Sequence, residues 1–297
     1  MSTPEYTPYS LSGQEASDAL KPAPTRPPGI GLRGVWFDRV TEAQAVQHLM
    51  DHLDAGRGGW VITSNLDHLL RAGRDAEFRA MLDEADLVVA DGVPLVWASR
   101  LQGTPLPERV AGSSMVWTVA EAAAKRQRSV YLLGGDPGTA ESAGEILVKT
   151  YPGLRLAGTF YPPMGFENDP AQMAAMTESL RASGADFVYV GLGSPKQERL
   201  IREIRAVLPD AWWLGIGISL SFICGEVKRA PVWMQKLGLE WLHRMVQEPR
   251  RLAKRYLVDG IPFAVVLLSS SLRRRVVKAR ADLERPAGRT PAGEGNA

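Results

Sequence analysis

Five short apolar runs, each cut off by glycines or small polar residues and each followed by a helical pattern, set the terms on which this chain can fold. They are Trp60 to Ile62, Leu87 to Ala90, Val130 to Leu133, Phe187 to Val190 and Trp212 to Leu214. A few unbroken apolar residues bounded by turn formers read as a strand buried on both faces. Strands that alternate with helices predict a mostly parallel, Rossmann-like α/β sheet flanked by helices on both sides. In such a sheet the carboxyl ends of the strands share one edge, and ligands collect outside it.

The residues at these five ends are unusual. Leu87 to Ala90 stops at Asp91, followed by Gly92 and Pro94; Trp60 to Ile62 runs into Thr63-Ser64-Asn65. Val130 to Leu133 is followed by Gly134-Gly135-Asp136-Pro137-Gly138, and Phe187 to Val190 by Gly191-Leu192-Gly193-Ser194-Pro195-Lys196-Gln197-Glu198. The last run ends at Gly215-Ile216-Gly217. Each has a purely structural reading: Asp91, Thr63 and Asn65 as helix caps, the glycines as tight turns. Glycines ahead of a helix also let backbone N–H groups approach a phosphate, with the helix dipole favouring its charge. Five such ends on one edge favour a single crevice suited to a phosphorylated sugar, with Asp91 placed to remove a proton.

Helices are expected over residues 41–55, opened by a capping pattern at Thr41, and over 66–84, 94–100, 115–126, 139–150, 170–183 and 196–208. His48 and His52 stand four apart on the first, a spacing that could hold a metal, but with no third ligand in view they read as exposed helix residues. The Gly134 to Gly138 turn is neither a Gly-x-Gly-x-x-Gly fingerprint nor a Walker loop, which argues against a nucleotide-dependent oxidoreductase on this scaffold. The single cysteine, Cys224, excludes a disulfide framework and a cysteine-based zinc site, and its apolar context suggests packing. No 20–50-residue period suggests a solenoid.

Residues 1–31 are rich in Pro, Ser and Thr and read as a disordered segment; lacking an apolar core, they do not resemble a secretory signal, and a cytoplasmic protein is expected. Residues 32–228 form the α/β core. Residues 229–280 form a basic, partly apolar appendage, and 281–297 a loose tail. The formal net charge is only +2, yet Lys228 to Arg280 holds thirteen Lys or Arg against three Asp or Glu. Within it, Leu257 to Leu272 is largely apolar but carries Asp259, Gly260 and Pro262; it reads as too short to span a bilayer and better as a segment lying on an anionic leaflet. Packing against the fold or a second subunit is the alternative, which allows a homo-oligomer. The basic run lacks interleaved aromatics, so a nucleic-acid partner is not expected.

Thr63-Ser64-Asn65, Ala90-Asp91-Gly92, Leu133-Gly134-Gly135, Gly191 to Glu198, Arg229-Ala230-Pro231, Leu239-Glu240-Trp241, Arg244, Glu248-Pro249-Arg250-Arg251 and Arg255-Tyr256 together resemble the WecG/TagA/CpsF glycosyltransferase family, over about residues 35–256. The resemblance implies inverting, metal-independent transfer from a UDP-sugar to a sugar on an undecaprenyl pyrophosphate carrier, in cell-wall or exopolysaccharide synthesis at the inner membrane surface, without a cofactor. It makes Asp91 the catalytic base. Thr63, Asn65 and Gln197 would hold sugar hydroxyls; Gly134, Gly135, Asp136, Gly191 and Gly193 would border the nucleotide. With no Asp-x-Asp motif to hold a divalent ion, Arg244, Arg251 and Arg255 would stabilise the departing diphosphate. A non-catalytic sugar-nucleotide-binding partner in an assembly complex is the alternative. Many relatives carry Asp where this chain has Ser114 and Ser221, a departure that bears on the donor sugar.

Overall fold

Alternate residues along every central strand enter opposite cores, because successive side chains of a strand point to opposite faces. Trp60 and Ile62, Val88 and Ala90, Tyr131 and Leu133, Val188 and Val190 pack on one face. Val61, Leu87 and Val89, Val130 and Leu132, Phe187 and Tyr189, Trp212 and Leu214 pack on the other. The computed structural model describes residues 25–283. Its strands are β1 (Gly29–Leu32), β2 (Val35–Asp38), β3 (Gly59–Ser64), β4 (Leu87–Ala90), β5 (Ser129–Gly134), β6 (Arg155–Phe160), β7 (Phe187–Gly191) and β8 (Trp212–Gly215). The last six form one parallel sheet in the order β4-β3-β8-β7-β5-β6.

The helices are α1 (Glu42–Asp54), α2 (Leu66–Ala72), α3 (Ala76–Glu84), α4 (Val93–Gln102), α5 (Gly112–Lys125), α6 (Thr139–Thr150), α7 (Pro170–Ser183), α8 (Lys196–Ile204), α9 (Ser219–Cys224), α10 (Val232–Lys236), α11 (Glu240–Gln247), α12 (Pro249–Ala253) and α13 (Ile261–Leu283). A π-helical stretch, Lys254–Gly260, joins the last two. α1, α5, α6 and α9 cover one face of the sheet; α2, α3, α4, α7, α8 and α13 cover the other. The expected doubly covered α/β sheet is what forms. Thr41 caps α1 as anticipated, its hydroxyl accepting the Gln44 N–H while the Gln44 side chain accepts the Thr41 N–H.

Several local readings are corrected. The helix expected over 66–84 is two helices, broken at Gly73-Arg74-Asp75, where Asp75 accepts the Phe78 N–H and starts α3 afresh. Gly29 to Gly31, assigned by sequence to a disordered segment, belong with Leu32 to a strand that pairs antiparallel with β2, and its apolar side is Ile30 and Leu32. The hairpin is fastened to the sheet by Asp38, a buried carboxylate that accepts the Val88 N–H at 2.8 Å and pairs with Arg26. Residues 1–24 and 284–297 lie outside the described residues, so the rest of the N-terminal segment and most of the tail carry no structural account. His48 is buried rather than exposed: its ring lies 4.3 Å from that of His52 and both face Trp212. Burial and His52 hold His48 below its ordinary pKa, so it packs as a neutral ring.

The C-terminal segment also departs from expectation. With its π-helical entry, the run Lys254–Val277 is helical for 24 residues and includes an 18-residue window of mean hydropathy 1.3, long and apolar enough by length and composition alone to cross a bilayer. It nonetheless lies along α4, and Phe263 packs against the core. Leu267, on the same helix, is fully buried.

Candidate active site

The sheet order turns the five strand ends into a continuous row. From the β4 edge inward they run Asp91, Thr63 to Asn65, Gly215 to Gly217, Gly191 to Gln197 and Gly134 to Gly138, each on the strand next to the last. At about 4.8 Å per strand the row is roughly 19 Å long, a length suited to an extended ligand. A cavity of about 810 Å³ lies at the opposite end of the strands, lined by Asp54, Arg126, Arg128, Gly153 and Arg155. Its arginines are already paired with Asp54 and Asp186, which leaves the row of ends as the chemically open edge.

Asp91 is set by backbone geometry on both sides. Its N–H donates to Ser64 O at 2.8 Å, which continues the β3–β4 ladder one residue past the strand. The returning chain then wraps it: Val110 N–H donates to Ala90 O, and Gly112 N–H donates to Asp91 Oδ2 at 3.3 Å. Gly112 is required there, because a Cβ would come within 2.8 Å of Thr63 Oγ1. The Gly112 turn thus lies against both Thr63 and Asp91. Burial pushes the Asp91 carboxyl up from its ordinary 3.8 to about 6; Glu240 pushes the same way, while Arg109, the Gly112 N–H and Arg229 draw it back.

Asn65 caps α2, its side-chain oxygen accepting the N–H groups of Asp67 and His68. That is the structural role foreseen for it, and it leaves the amide nitrogen as the group that could meet a ligand. Gln197 is buried and anchored: its Oε1 accepts Gly217 N–H at 2.9 Å and its Nε2 donates to Glu198 at 2.8 Å. It ties the β7 end to the β8 end and thereby shapes the floor of the crevice. Gly134 sits at φ +106, with a Cβ there 2.6 Å from Gly191 O, so the two glycine turns touch through backbone. Gly135 N–H donates to Gly191 O at 3.0 Å, and Asp136 O accepts the Thr139 N–H. Gly193, at φ +74, has its carbonyl accepting the Gln197 N–H. At the start of α6, Thr139 Oγ1 donates to Glu226 Oε1 at 2.9 Å. The Glu226 carboxylate thus stands at the first residue of α6, where it accepts a hydroxyl.

The C-terminal arginines reach different parts of the row. Arg255 pairs with Asp67 at 3.1 Å, in the first turn of α2 next to Asn65. Arg244 lies over the Phe222 ring of α9 and 3.9 Å from Glu248. Both have a buried Nε without an acceptor. The Arg251 side chain lies outside the described residues. Three further charged groups received no role from the sequence. Arg109 and Arg229 both pair with Glu240, at 2.5 and 3.2 Å, and Arg229 also donates to Ser113 O and to Ser114 Oγ. Arg109 lies three residues before Gly112 and Arg229 opens an Arg-Ala-Pro motif, but only the tertiary fold puts them beside Asp91. Ser114, where an acid was expected in relatives, is occupied by a guanidinium.

Comparison with known proteins accords with this architecture. Over 207 residues the chain is 31% identical to an N-acetylglucosaminyldiphosphoundecaprenol N-acetyl-beta-D-mannosaminyltransferase of Bacillus spizizenii, an alignment covering 69% of this chain and 78% of the relative. Residues 30–277, from the β1 strand into the last helix, match the glycosyl transferase WecG/TagA/CpsF family, and the chain belongs to that family of glycosyltransferases.

Proposed function

We propose that this glycosyltransferase moves a hexose or N-acetylhexosamine from a UDP-sugar to a polyprenyl-diphosphate-linked saccharide, with inversion and with Asp91 as the base. The observation that carries the reading is the place of Asp91, at the β4 end on the row of strand ends with its carboxylate held by the Gly112 N–H; burial raises its pKa to about 6, where a carboxylate is ionised at neutral pH and still basic enough to take a proton. The acceptor hydroxyl oxygen attacks the anomeric carbon from the face opposite UDP. Its proton passes to Asp91, the bond from the anomeric carbon to the diphosphate oxygen breaks, and UDP leaves with the electron pair. The Gly112 N–H fixes the Asp91 carboxylate in one orientation for this transfer.

The diphosphate gains negative charge as it leaves. The unpaired guanidinium Nε–H groups of Arg244 and Arg255 support a role as fixed donors to it, and Arg251 is proposed to join them. Thr63, Asn65 and the crevice floor held by Gln197 would orient the sugars, with the Gly134 to Asp136 and Gly191 to Gly193 turns beside the nucleotide. The relative's activity suggests N-acetylmannosamine as donor sugar and an N-acetylglucosaminyl-diphosphate lipid as acceptor. Such an acceptor is bound to a bilayer. Exposed Trp233, Leu237, Leu257, Val258, Ile261 and Val265, with Arg273, Arg274 and Arg275 further along α13, give the C-terminal segment the apolar and cationic groups that bind an anionic leaflet from the cytoplasmic side.

The test is transfer from radiolabelled UDP-glucose, UDP-N-acetylglucosamine and UDP-N-acetylmannosamine to lipid-linked N-acetylglucosaminyl diphosphate, with Asp91→Ala alongside. Transfer of one sugar that is lost in Asp91→Ala is expected. An active Asp91→Ala enzyme refutes the assignment of the base, and UDP binding without transfer from any donor favours a non-catalytic role.

A further inference from the structure

One carboxylate from the C-terminal segment grips the turn that wraps Asp91. Glu240, the first residue of α11, pairs with Arg109 through Oε2 and with Arg229 through Oε1, all three side chains being about four-fifths buried. Arg229 in turn holds Ser113 O and Ser114 Oγ. Arg109 and Ser114 bracket Gly112, the donor to Asp91. The connection is therefore short: segment to arginines, arginines to turn, turn to carboxylate. The charges are also balanced, since two guanidiniums face Asp91 and Glu240 supplies the anion that offsets them. Glu42 of α1 and Glu108 lie in the same field; Glu42 accepts Thr118 Oγ1, and its N–H donates to Glu108 Oε1.

We propose that Glu240 is a positioning residue for Asp91: by bridging Arg109 and Arg229 it holds the 109–114 turn and offsets its positive charge, which keeps Asp91 an effective base. The inference rests on the reading of Asp91 as the base. Without the Glu240 charge, two uncompensated guanidiniums stabilise the Asp91 carboxylate and make it a weaker base.

The experiment measures kcat/KM against pH in the full chain, with UDP-N-acetylmannosamine and a lipid-linked N-acetylglucosaminyl diphosphate, for wild type, Glu240→Gln, Glu240→Asp and Arg109→Gln. Glu240→Gln is expected to move the midpoint of the acidic limb down by about half to one pH unit and to lower the plateau several-fold. Glu240→Asp, which keeps the charge, should leave the midpoint near that of wild type. Arg109→Gln removes a cation and should move the midpoint up, so the proposal stays testable if Glu240→Gln does not fold. An unmoved midpoint in both neutralising variants, with activity lowered evenly at all pH, would reduce Glu240 to a docking contact and overturn the proposal. Activity retained in Asp91→Ala would instead remove the base itself, a separate failure.

Discussion

Replacing Asp91 with Asn should make the protein more stable while abolishing turnover, and the gain should depend on pH. Folding raises the Asp91 pKa from 3.8 to about 6, so the folded state disfavours the ionised form relative to the unfolded chain. The carboxyl therefore imposes no penalty below about pH 4, a growing one between about 4 and 6, and a constant one above. A shift of about two units at about 1.4 kcal/mol each sets an upper limit of about 3 kcal/mol at pH 8. The true figure is smaller to the extent that the side chain is open to the crevice. Asn is isosteric and still accepts the Gly112 N–H through its oxygen, so it removes the charge with little else. Urea unfolding of wild type and Asp91→Asn at pH 8 and pH 4 reads the difference directly. The variant should be more stable by about 1–3 kcal/mol at pH 8, with the advantage nearly gone at pH 4. A destabilised variant at pH 8, or an equal gain at both pH values, would refute the view that burial of this charge governs the site.

Three further outcomes follow from the geometry. In wild type, kcat/KM should fall tenfold per unit below about pH 6 as Asp91 takes up a proton, as steady-state assays across pH 4.5–8 would show; a flat profile would exclude Asp91 as base. Arg255→Ala should lower kcat about tenfold or more with little loss of fold, checked by single-turnover kinetics with the UDP-sugar. Asp38→Ala should cost about 3 kcal/mol in chemical denaturation, because it leaves the buried Val88 N–H without its acceptor and frees the β1–β2 hairpin.

The strands and their ends were legible because buried parallel strands advertise themselves as unbroken apolar runs, and because glycine, Asp and Asn mark where such runs stop. The order of strands in the sheet could not be read locally, yet it is this order that sets Asp91, Thr63 and the glycine turns side by side. The break at Gly73 was hidden because apolar residues continue at helical spacing on both sides of it, and only the Asp75 cap discloses a second start. His48 was misjudged for a related reason: a polar residue on a helix looks solvent-facing until the partner, here Trp212 at the far end of the sequence, is known. Arg109, Arg229 and Glu240 were overlooked as a group because Arg109 and Glu240 are 131 residues apart, and charged residues read singly suggest a wetted surface.

The Asp38 clasp on β4 has a bearing on how copies of this protein can meet. Residues 88 and 90 of β4 direct their backbone groups away from β3; the Asp38 carboxylate takes the Val88 N–H, and the Val110 N–H takes the Ala90 carbonyl. A foreign strand approaching that border finds two of its bonding positions already filled. At the other border, β6 begins with a charged arginine, and its register with β5 slips between Val130 and Tyr131. Charge and irregularity are the usual defences of an exposed sheet margin against templated aggregation. Self-association by adding strand to strand is thereby discouraged at both borders, and any ordered pairing of molecules is left to the helical faces.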